Sequence, residues 1–208
     1  MKIVVFGASG HIGQLVVNRA LENGHKVTAF VRNPTSLSIK DKNFSLCIGD
    51  ITNYAQVAEA IKGNDAVIST VGNSTRSVVF KSHSIISEGV KNIVKAMKEQ
   101  KVNRLLFISS FGLNENIFLP QKIFIRTILK NIFADMPQQE KSISQSGLDY
   151  TIVRPARLTD ETTVGEYKAA EELYIGPFSH ISRSAVADFL IKELETKKFF
   201  NKIVTLSY

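Results

Sequence analysis

KIVVFGASGHIG (residues 2–13) decides the fold, because this short stretch combines a strand, a turn and the start of a helix. The apolar run KIVVF is typical of a buried strand. Gly7, Gly10 and Gly13 follow it at a spacing of three, and apolar residues at helical spacing then continue to the stop signal at Gly24. This order predicts the first βα unit of a parallel sheet.

The same alternation continues along the chain. Further strand-like runs lie at 25–32, 44–50, 66–71, 104–110, 150–155 and 202–207. Helices are predicted from near Thr52, over 80–99, from an N-cap at Asp135 with Pro137 in the first turn, and over 183–196 after a cap at Ser182. Alternating strands and helices predict an α/β fold: a doubly wound parallel sheet whose strands are buried on both faces.

Length and composition set the class of protein. The 208 residues fit one domain, 1–208, and 44% hydrophobic with 22% charged residues is typical of a globular protein. The single cysteine, Cys47, and the absence of a signal peptide predict a reducing, cytoplasmic location, and no apolar run is long enough to span a membrane. The net charge of +7 is spread along the chain, so we expect no nucleic-acid partner.

The glycine turn has the spacing of a dinucleotide-binding loop. Gly7 permits a tight turn, Gly10 lets backbone N–H groups approach a pyrophosphate, and Gly13 lets the helix pack close to the strand. Ser9 can donate a hydrogen bond to phosphate, while His11 and Ile12 contribute backbone. The alternative is a simple βα turn with no nucleotide.

The end of the second strand indicates which nicotinamide cofactor is preferred. Folds that bind NAD usually place Asp or Glu there, where the carboxylate binds the ribose 2′-hydroxyl. This chain has FVRNP, with Arg32 in that place. A guanidinium can bind a 2′-phosphate with paired hydrogen bonds, so the sequence favours NADP(H), with NAD(H) as the alternative. A surface arginine with no ligand would look the same.

Taken together, GASGHIG, FVRNP, GDIT, DAVISTVG, LLFISSFG, SGLDYTIVRP and ISRSAVADFL resemble the atypical short-chain dehydrogenase/reductases. The resemblance is to the single-domain NAD(P)H-binding group that contains NmrA-like proteins and biliverdin-IXβ/flavin reductases, and it implies a Rossmann-type NAD(P)-binding fold. It also implies cofactor contacts at Asp50, Ile51, Thr70, Val71, Gly72, Ser109 and Pro155, with Ser109 and Ser110 near the nicotinamide.

The Tyr-x-x-x-Lys pair of the wider family is missing. Its phenol protonates the nascent alkoxide and its lysine lowers the pKa of that phenol. Four positions after the first four tyrosines stand Ala58, Arg154, Glu171 and Phe178, and the chain ends at the fifth. A conventional alcohol dehydrogenase is therefore excluded. A sugar-nucleotide epimerase is disfavoured for the same reason, and because it would need a larger substrate domain.

Reduction of a flavin, quinone or other planar acceptor needs no such pair, since the proton can come from solvent. Ser110, with Ser109, is then the candidate catalytic residue. Biliverdin is in doubt, because related enzymes carry a histidine just after the proline, where this chain has Ala156 and Arg157. Arg157 would meet an acidic substrate or simply be a surface residue, and Phe178 would stack on a flat ring or belong to the core.

Two further segments are individual to this chain. We expect residues 156–182 to form a small substrate-side flap. A second segment has apolar residues at helical spacing: Ile125, Ile128, Leu129, Ile132 and Phe133. This spacing predicts a helical stripe with four alternative roles: packing on the sheet, forming a lid, contacting a second subunit or lying on a membrane surface.

The sequence thus predicts an NADPH-dependent reductase of a planar acceptor, with no metal site. The alternative is a non-catalytic NADP(H) sensor of the NmrA-like type that acts through a protein partner.

Overall fold

The computed structural model of the chain describes residues 1–33, 37, 39–72, 84–113, 116–127 and 135–208. Its strands are β1 (Lys2–Phe6), β2 (Lys26–Val31), β3 (Phe44–Ile48), β4 (Ala66–Ser69), β5 (Arg104–Ile108), β6 (Asp149–Pro155), β7 (Arg157–Thr159), β8 (Lys168–Ala170), β9 (His180–Ser182) and β10 (Lys202–Ser207). Its α-helices are α1 (His11–Glu22), α2 (Tyr54–Ile61), α3 (Ser84–Gln100), α4 (Leu119–Thr127), α5 (Met136–Ser144) and α6 (Arg183–Thr196).

The main sheet has the strand order β3-β2-β1-β4-β5-β6-β10-β8. All neighbouring pairs are parallel except β8, which runs antiparallel to β10. The chain order reverses between β1 and β4, so the carboxyl ends of these two strands form the crevice where doubly wound sheets bind ligands. The predicted parallel α/β fold is confirmed.

Each strand of the centre buries both faces. In β1, Ile3 and Val5 pack on the side of α1 and α6, while Val4 and Phe6 pack on the side of α2, α3 and α5. This alternation follows from the two-residue period of a strand. All four side chains are fully buried, and each contributes roughly 1.5–3 kcal/mol of burial free energy. A core on both faces fixes the register and hence the edge where the strands end.

The helix ends agree with the predicted signals at some positions and not at others. The Ser182 hydroxyl accepts a hydrogen bond from the backbone N–H of Ala185, at 3.0 Å, and so caps α6 as predicted. Asp135 is the N-cap residue of α5 and a proline lies in the first turn, as predicted, although the Asp135 side chain makes no capping hydrogen bond. The helix predicted near Thr52 starts at Tyr54, with Asn53 as its cap.

Two features of the sheet were not predicted. β3 is an edge strand, so Leu46 and Ile48 are exposed, and the expectation that every strand is buried on both faces is wrong there. Residues 156–182, expected as a flap, contain three strands. β7 and β9 pair with each other, whereas β8 extends the main sheet. Short runs of three residues carry too little periodicity to be recognised.

The apolar stripe predicted at 125–133 lies largely outside the described residues, so its role is not defined by the structure. The start of the helix predicted over 80–99 also falls outside them, and the described part of that helix begins at Ser84. Within the described ranges, no helix combines the length and the apolar character that crossing a membrane requires.

Candidate functional site

The glycine loop lies at the carboxyl end of β1. Gly7 has a φ of +78°, and a Cβ atom there would stand 2.9 Å from backbone atoms of Thr70 and Val71. A Cβ on Gly13 would stand only 2.2 Å from the carbonyl oxygen of Gly7. Both glycines are therefore required by the fold itself. Gly10 is less restricted than Gly7 and Gly13. A Cβ atom there would meet only the carbonyl oxygen of Gly7, at 3.3 Å, so the space beside Gly10 on the outer side of the loop is open.

The N-terminus of α1 is open toward the same loop. Gly10 is its N-cap residue, no side chain caps it, and its first turn contains no acidic residue. The exposed His11 and the partly buried Ile12 stand in this turn, next to the exposed Ser9. The turn therefore offers N–H groups and the positive end of the helix dipole to an anion. These features fit the pyrophosphate of a dinucleotide.

Thr70 supports the loop from the neighbouring strand. Its hydroxyl lies 3.1 Å from the carbonyl oxygens of both Phe6 and Gly7, and its backbone N–H donates to Phe6 at 2.9 Å. The sequence predicted Thr70 only as a lining residue, together with Val71 and Gly72, which follow it at the crevice. The hydroxyl instead holds the two carbonyl groups that flank the turn.

Arg32 lies just beyond the carboxyl end of β2. Phe6 and Phe30 are partners in the β1–β2 register, so Arg32 follows two residues after a position beside the glycine loop. Its side chain is exposed. Within the ranges that the structure describes, it takes part in no ion pair with an acidic residue. The guanidinium is thus available to a ligand at the position where a 2′-phosphate is expected.

Asp50 and Ile51 follow β3 and form a rigid turn. The Asp50 carboxylate accepts hydrogen bonds from the backbone N–H and the hydroxyl of Thr52, at 2.9 and 2.8 Å. The Ile51 carbonyl accepts one from the Asn92 side chain on α3, at 2.9 Å, and the Ile51 side chain packs against Gly89. Asp50 and Ile51, predicted as cofactor contacts, therefore lie in a turn that hydrogen bonds hold in place after β3.

Ser109 and Ser110 follow β5, at the same edge. The backbone N–H of Ser109 donates to the Val153 carbonyl of β6, at 2.7 Å. Its hydroxyl is buried and has no hydrogen-bond partner within the described part of the chain. The Ser110 hydroxyl accepts a long hydrogen bond from the backbone of Gly112, at 3.4 Å. A buried hydroxyl without a partner is costly, which is expected where a bound ligand completes the bonding.

An ion pair that the sequence did not reveal lies at the end of β6, one residue before the buried Pro155. The Arg154 guanidinium donates to both carboxylate oxygens of Glu140 on α5, at 3.0 and 2.5 Å. The Glu140 side chain is only 7% exposed. The available signal was an arginine within an otherwise apolar strand, YTIVRP. Its partner could not be inferred, because pairing across the fold is invisible in a single sequence.

The residues predicted to contact a substrate, Arg157 and Phe178, have exposed side chains. Arg157 begins β7 and is the register partner of His180 on β9. Phe178 is 86% exposed, so the alternative that it belongs to the core is wrong. A β-bridge joins Ile117, which follows β5, to Ile175, which lies between β8 and β9, and so brings these two segments together. We name their exposed apolar side chains the apolar rim: Phe118, Leu119, Ile123, Phe124, Tyr174 and Phe178.

Three of the five tyrosines have hydroxyl groups that are hydrogen-bonded to other side chains. The Tyr167 hydroxyl donates to Asp188 at 2.8 Å, and burial together with this hydrogen bond raises the pKa of Tyr167. The Tyr208 hydroxyl lies 2.7 Å from that of Ser182. The Tyr54 hydroxyl is bonded to Glu99 on the surface, which raises the pKa of Tyr54. Over the described ranges, no group of His, Cys, Asp and Glu residues could hold a metal ion.

Comparison with known proteins decides the family. The model of the NAD(P)H-binding family matches residues 7–197. The chain belongs to this family. NAD(P)H is accordingly the cofactor class of this chain. The expected atypical, NmrA-like resemblance is therefore consistent with the family found.

The relatives include both reductases and epimerases. The chain is 27% identical over 210 residues to the uncharacterized sugar epimerase YhfK of Bacillus subtilis, covering 100% of the chain and 94% of YhfK. It is 29% identical over 163 residues to phenylcoumaran benzylic ether reductase PT1 of Pinus taeda, covering 73% of the chain and 47% of that enzyme. A short-chain dehydrogenase/reductase from Veillonella parvula, solved in complex with NADP, superposes with a TM-score of 0.85 at 19% identity, covering 100% of this chain and 94% of that one.

Proposed function

We propose that this protein is an NADPH-dependent reductase that transfers a hydride to a flavin, a quinone or another planar acceptor. One observation carries the proposal: the buried Ser109 hydroxyl, which has no partner among the described residues, lies at the carboxyl edge, two strands from the glycine loop in the order β1-β4-β5. A dinucleotide whose pyrophosphate binds at the loop extends along this edge toward β5.

The residues of the chain divide the work between binding and orientation. Gly7, Gly10 and the first turn of α1 bind the pyrophosphate, and Arg32 binds the 2′-phosphate and so favours NADPH over NADH. When bound, NADPH supplies a hydride. Ser110 orients the ring that carries it, and Ser109 lies next to Ser110 after the end of β5. Pro155 has no N–H group to donate and closes the site on the side of β6.

The acceptor binds on the remaining side of this edge. Arg157 faces it with a cationic group, and Phe178 with the rest of the apolar rim provides surface for a flat ring. Since the chain has no Tyr-x-x-x-Lys pair to activate a phenol, we expect the proton to come from solvent. The relation to a sugar epimerase does not extend to that chemistry, because the chain lacks the Tyr-x-x-x-Lys pair.

The direct test mixes the purified protein with NADPH and with FMN, FAD or a short quinone, and follows NADPH oxidation by its absorbance. Gly10→Asp is the informative variant. Aspartate is a good N-cap, so α1 should stay stable, while its carboxylate repels the pyrophosphate. We expect turnover in the wild type and none in Gly10→Asp. Turnover that survives this variant would show that the loop does not bind the cofactor.

The apolar rim supports a second candidate, the NADP(H) sensor with a protein partner. Exposed apolar patches of this kind mark binding surfaces. A sensor would bind NADPH and NADP⁺ with different affinities and oxidise none of the acceptors. Calorimetric titration with both nucleotides, alongside the turnover assay, separates the two candidates.

A further inference from the structure

Ser109 and Arg154 are neighbours at the carboxyl edge of the sheet. Ile108 and Val153 are partners in the parallel β5–β6 register, and the Ser109 N–H bond to Val153 continues this register by one residue. Ser109 therefore stands beside Arg154. Partners in a parallel register project to the same face, here the face covered by α3 and α5, where Arg154 meets Glu140.

The Arg154 guanidinium is fixed on one side and free on the other. It has five N–H donors, and the two that bind Glu140 are its Nε and one Nη2 hydrogen. Its other donors have no partner among the described residues, and its side chain is 19% exposed. The buried carboxylate thus holds the guanidinium in one orientation with its outer edge turned away from α5.

We propose that the outer edge of Arg154 and the Ser109 hydroxyl form an oxygen-binding site for the carbonyl group of the acceptor. This inference rests on the proposed function and narrows its substrate class to planar carbonyl compounds of the quinone type. Two donors that converge on one oxygen stabilise the negative charge that develops there, as in an oxyanion hole.

The reaction balances without a protein acid. The C–H bond of the reduced nicotinamide would break and the hydride would form an O–H bond with one quinone oxygen, which leaves the negative charge on the other oxygen while NADPH becomes NADP⁺. Arg154 and Ser109 hold the anionic oxygen, and water supplies the single proton that completes the hydroquinone. Arg154 stays protonated throughout, because a guanidinium does not lose its proton in proteins. The pair thus replaces the missing phenol and lysine, and Glu140 is its positioning residue.

The first experiment measures kcat and KM with a soluble quinone. We expect Ser109→Ala to lower kcat about tenfold and Arg154→Met about 100-fold, as for the loss of oxyanion donors in other enzymes. Glu140→Gln should lower kcat with little change in the KM for NADPH, since it only loosens the guanidinium. Arg104→Lys is the matched control, because Arg104 forms a buried pair with Glu193 at the opposite end of β5. It should leave kcat within about twofold.

The second experiment needs neither NADPH nor turnover. 4-Nitrophenol is titrated into the protein, and its phenolate is followed by visible absorbance. The oxygen site should bind the phenolate and so lower the apparent pKa of the probe. Ser109→Ala and Arg154→Met should abolish this shift, while Arg104→Lys should keep it. If Arg154→Met does not fold, Ser109→Ala still tests the site, because it leaves the ion pair intact.

The outcomes separate the two levels of inference. If the wild type shifts the probe but oxidises no NADPH, the oxygen site stands and the proposed reductase fails. If the wild type turns over quinone and Ser109→Ala and Arg154→Met match the control, the oxygen site is wrong and the reductase stands. Loss of kcat in Arg104→Lys equal to that in Arg154→Met would also overturn the site, since the effect would then be one of stability alone.

Discussion

Two buried arginine–glutamate pairs lie at opposite ends of the neighbouring strands β5 and β6, and they differ in what surrounds them. At the amino end, Arg104 bonds to the side chain and the backbone carbonyl of Glu193, at 2.9 and 3.2 Å. The side-chain oxygen Oε1 of Glu193, which accepts from Arg104, also accepts hydrogen bonds from the Thr151 hydroxyl and the Phe199 N–H. At the carboxyl end, the side chains of Arg154 and Glu140 form hydrogen bonds only with each other among the described residues.

The difference shows how one kind of interaction serves two purposes. Arg104 is 4% exposed, and burial lowers its pKa while Glu193 opposes that shift, so the pair is enclosed within the fold. Arg154 keeps an open edge beside the candidate site. We infer that the amino end of the sheet is built for stability and the carboxyl end for binding. Substitutions with matched controls test this difference and the other contacts of the fold.

The largest effect is expected at the amino end. Glu193→Ala leaves the Arg104 charge buried without a partner and should lower the free energy of unfolding by about 3–5 kcal/mol. Chemical denaturation measures it. The exposed Glu172→Ala should change the free energy by less than about 0.5 kcal/mol. A loss in Glu193→Ala no larger than that would mean that the enclosed pair does not stabilise the fold.

The second effect concerns the two ends of β2, with Lys26 at the start and Arg32 just past the end. Arg32→Ala should weaken NADPH binding by about 1.5–3 kcal/mol, the usual range for a hydrogen bond to a charged group. NADH binding should change less than about twofold, since NADH carries no 2′-phosphate. Titration of NADPH and NADH into Arg32→Ala, with Lys26→Ala as the control variant, measures both changes. Equal losses for NADPH and NADH would refute the assignment of Arg32.

Gly7 and Gly24 offer the third comparison, since both have positive φ, +78° and +75°. Alanine at either position costs about 1–2 kcal/mol of backbone strain. A Cβ at Gly24 meets nothing within 4 Å, whereas at Gly7 it meets the backbone after β4 at 2.9 Å. Gly7→Ala should therefore also raise the Kd for NADPH about tenfold, equal to 1.4 kcal/mol. Gly24→Ala with the same loss of affinity would contradict a local effect.

The smallest effect belongs to a cluster between α1 and α6, where Asp188 bonds to Arg19, Tyr167 and Lys192. Burial alone would raise the pKa of Asp188, but these hydrogen bonds and charges outweigh it and lower the pKa. A lowered pKa stabilises the fold above the unfolded value of about 3.9, and that stability is lost as the pH falls through the folded value.

Asp188→Asn should therefore lower the free energy of unfolding by about 1–2 kcal/mol at neutral pH, and the difference from wild type should shrink below about pH 4. Urea unfolding at both pH values measures this. Asp160→Asn is the control, because the Asp160 side chain in its pair with Arg183 is 78% exposed. A difference for Asp188→Asn that persists unchanged in acid would point to lost packing instead of lost charge.

The sequence predicted the parts of this molecule that depend on local pattern. The parallel strands, the glycine turn and the Ser182 cap are visible because periodicity and capping act within a few residues. The exposure of β3 was missed, since an apolar strand does not reveal that it lies at an edge. The N-cap position of Asp135 was predicted, but the missing hydrogen bond of its side chain was not, because side-chain geometry depends on packing.

The candidate site was predictable in position but not in its bonding. Open α/β sheets bind ligands at the carboxyl ends of their strands, so the expected residues share one edge. Thr70 holding the loop, and Glu140 holding Arg154, depend on contacts across strands and helices. Those contacts join residues 63 positions apart in one case and 14 in the other. Such pairs become evident only when the register is known.

The exposed Tyr174 of the apolar rim has an optical consequence, because the chain contains five tyrosines and no tryptophan. Nicotinamide fluorescence can be recorded here without energy transfer from tryptophan, which complicates such signals in many proteins. If the proposed acceptor stacks on the rim, the emission of Tyr174, which is 56% exposed, should be quenched. Acceptor binding should then be observable through intrinsic emission, with Tyr174→Phe identifying its source and no dye attached.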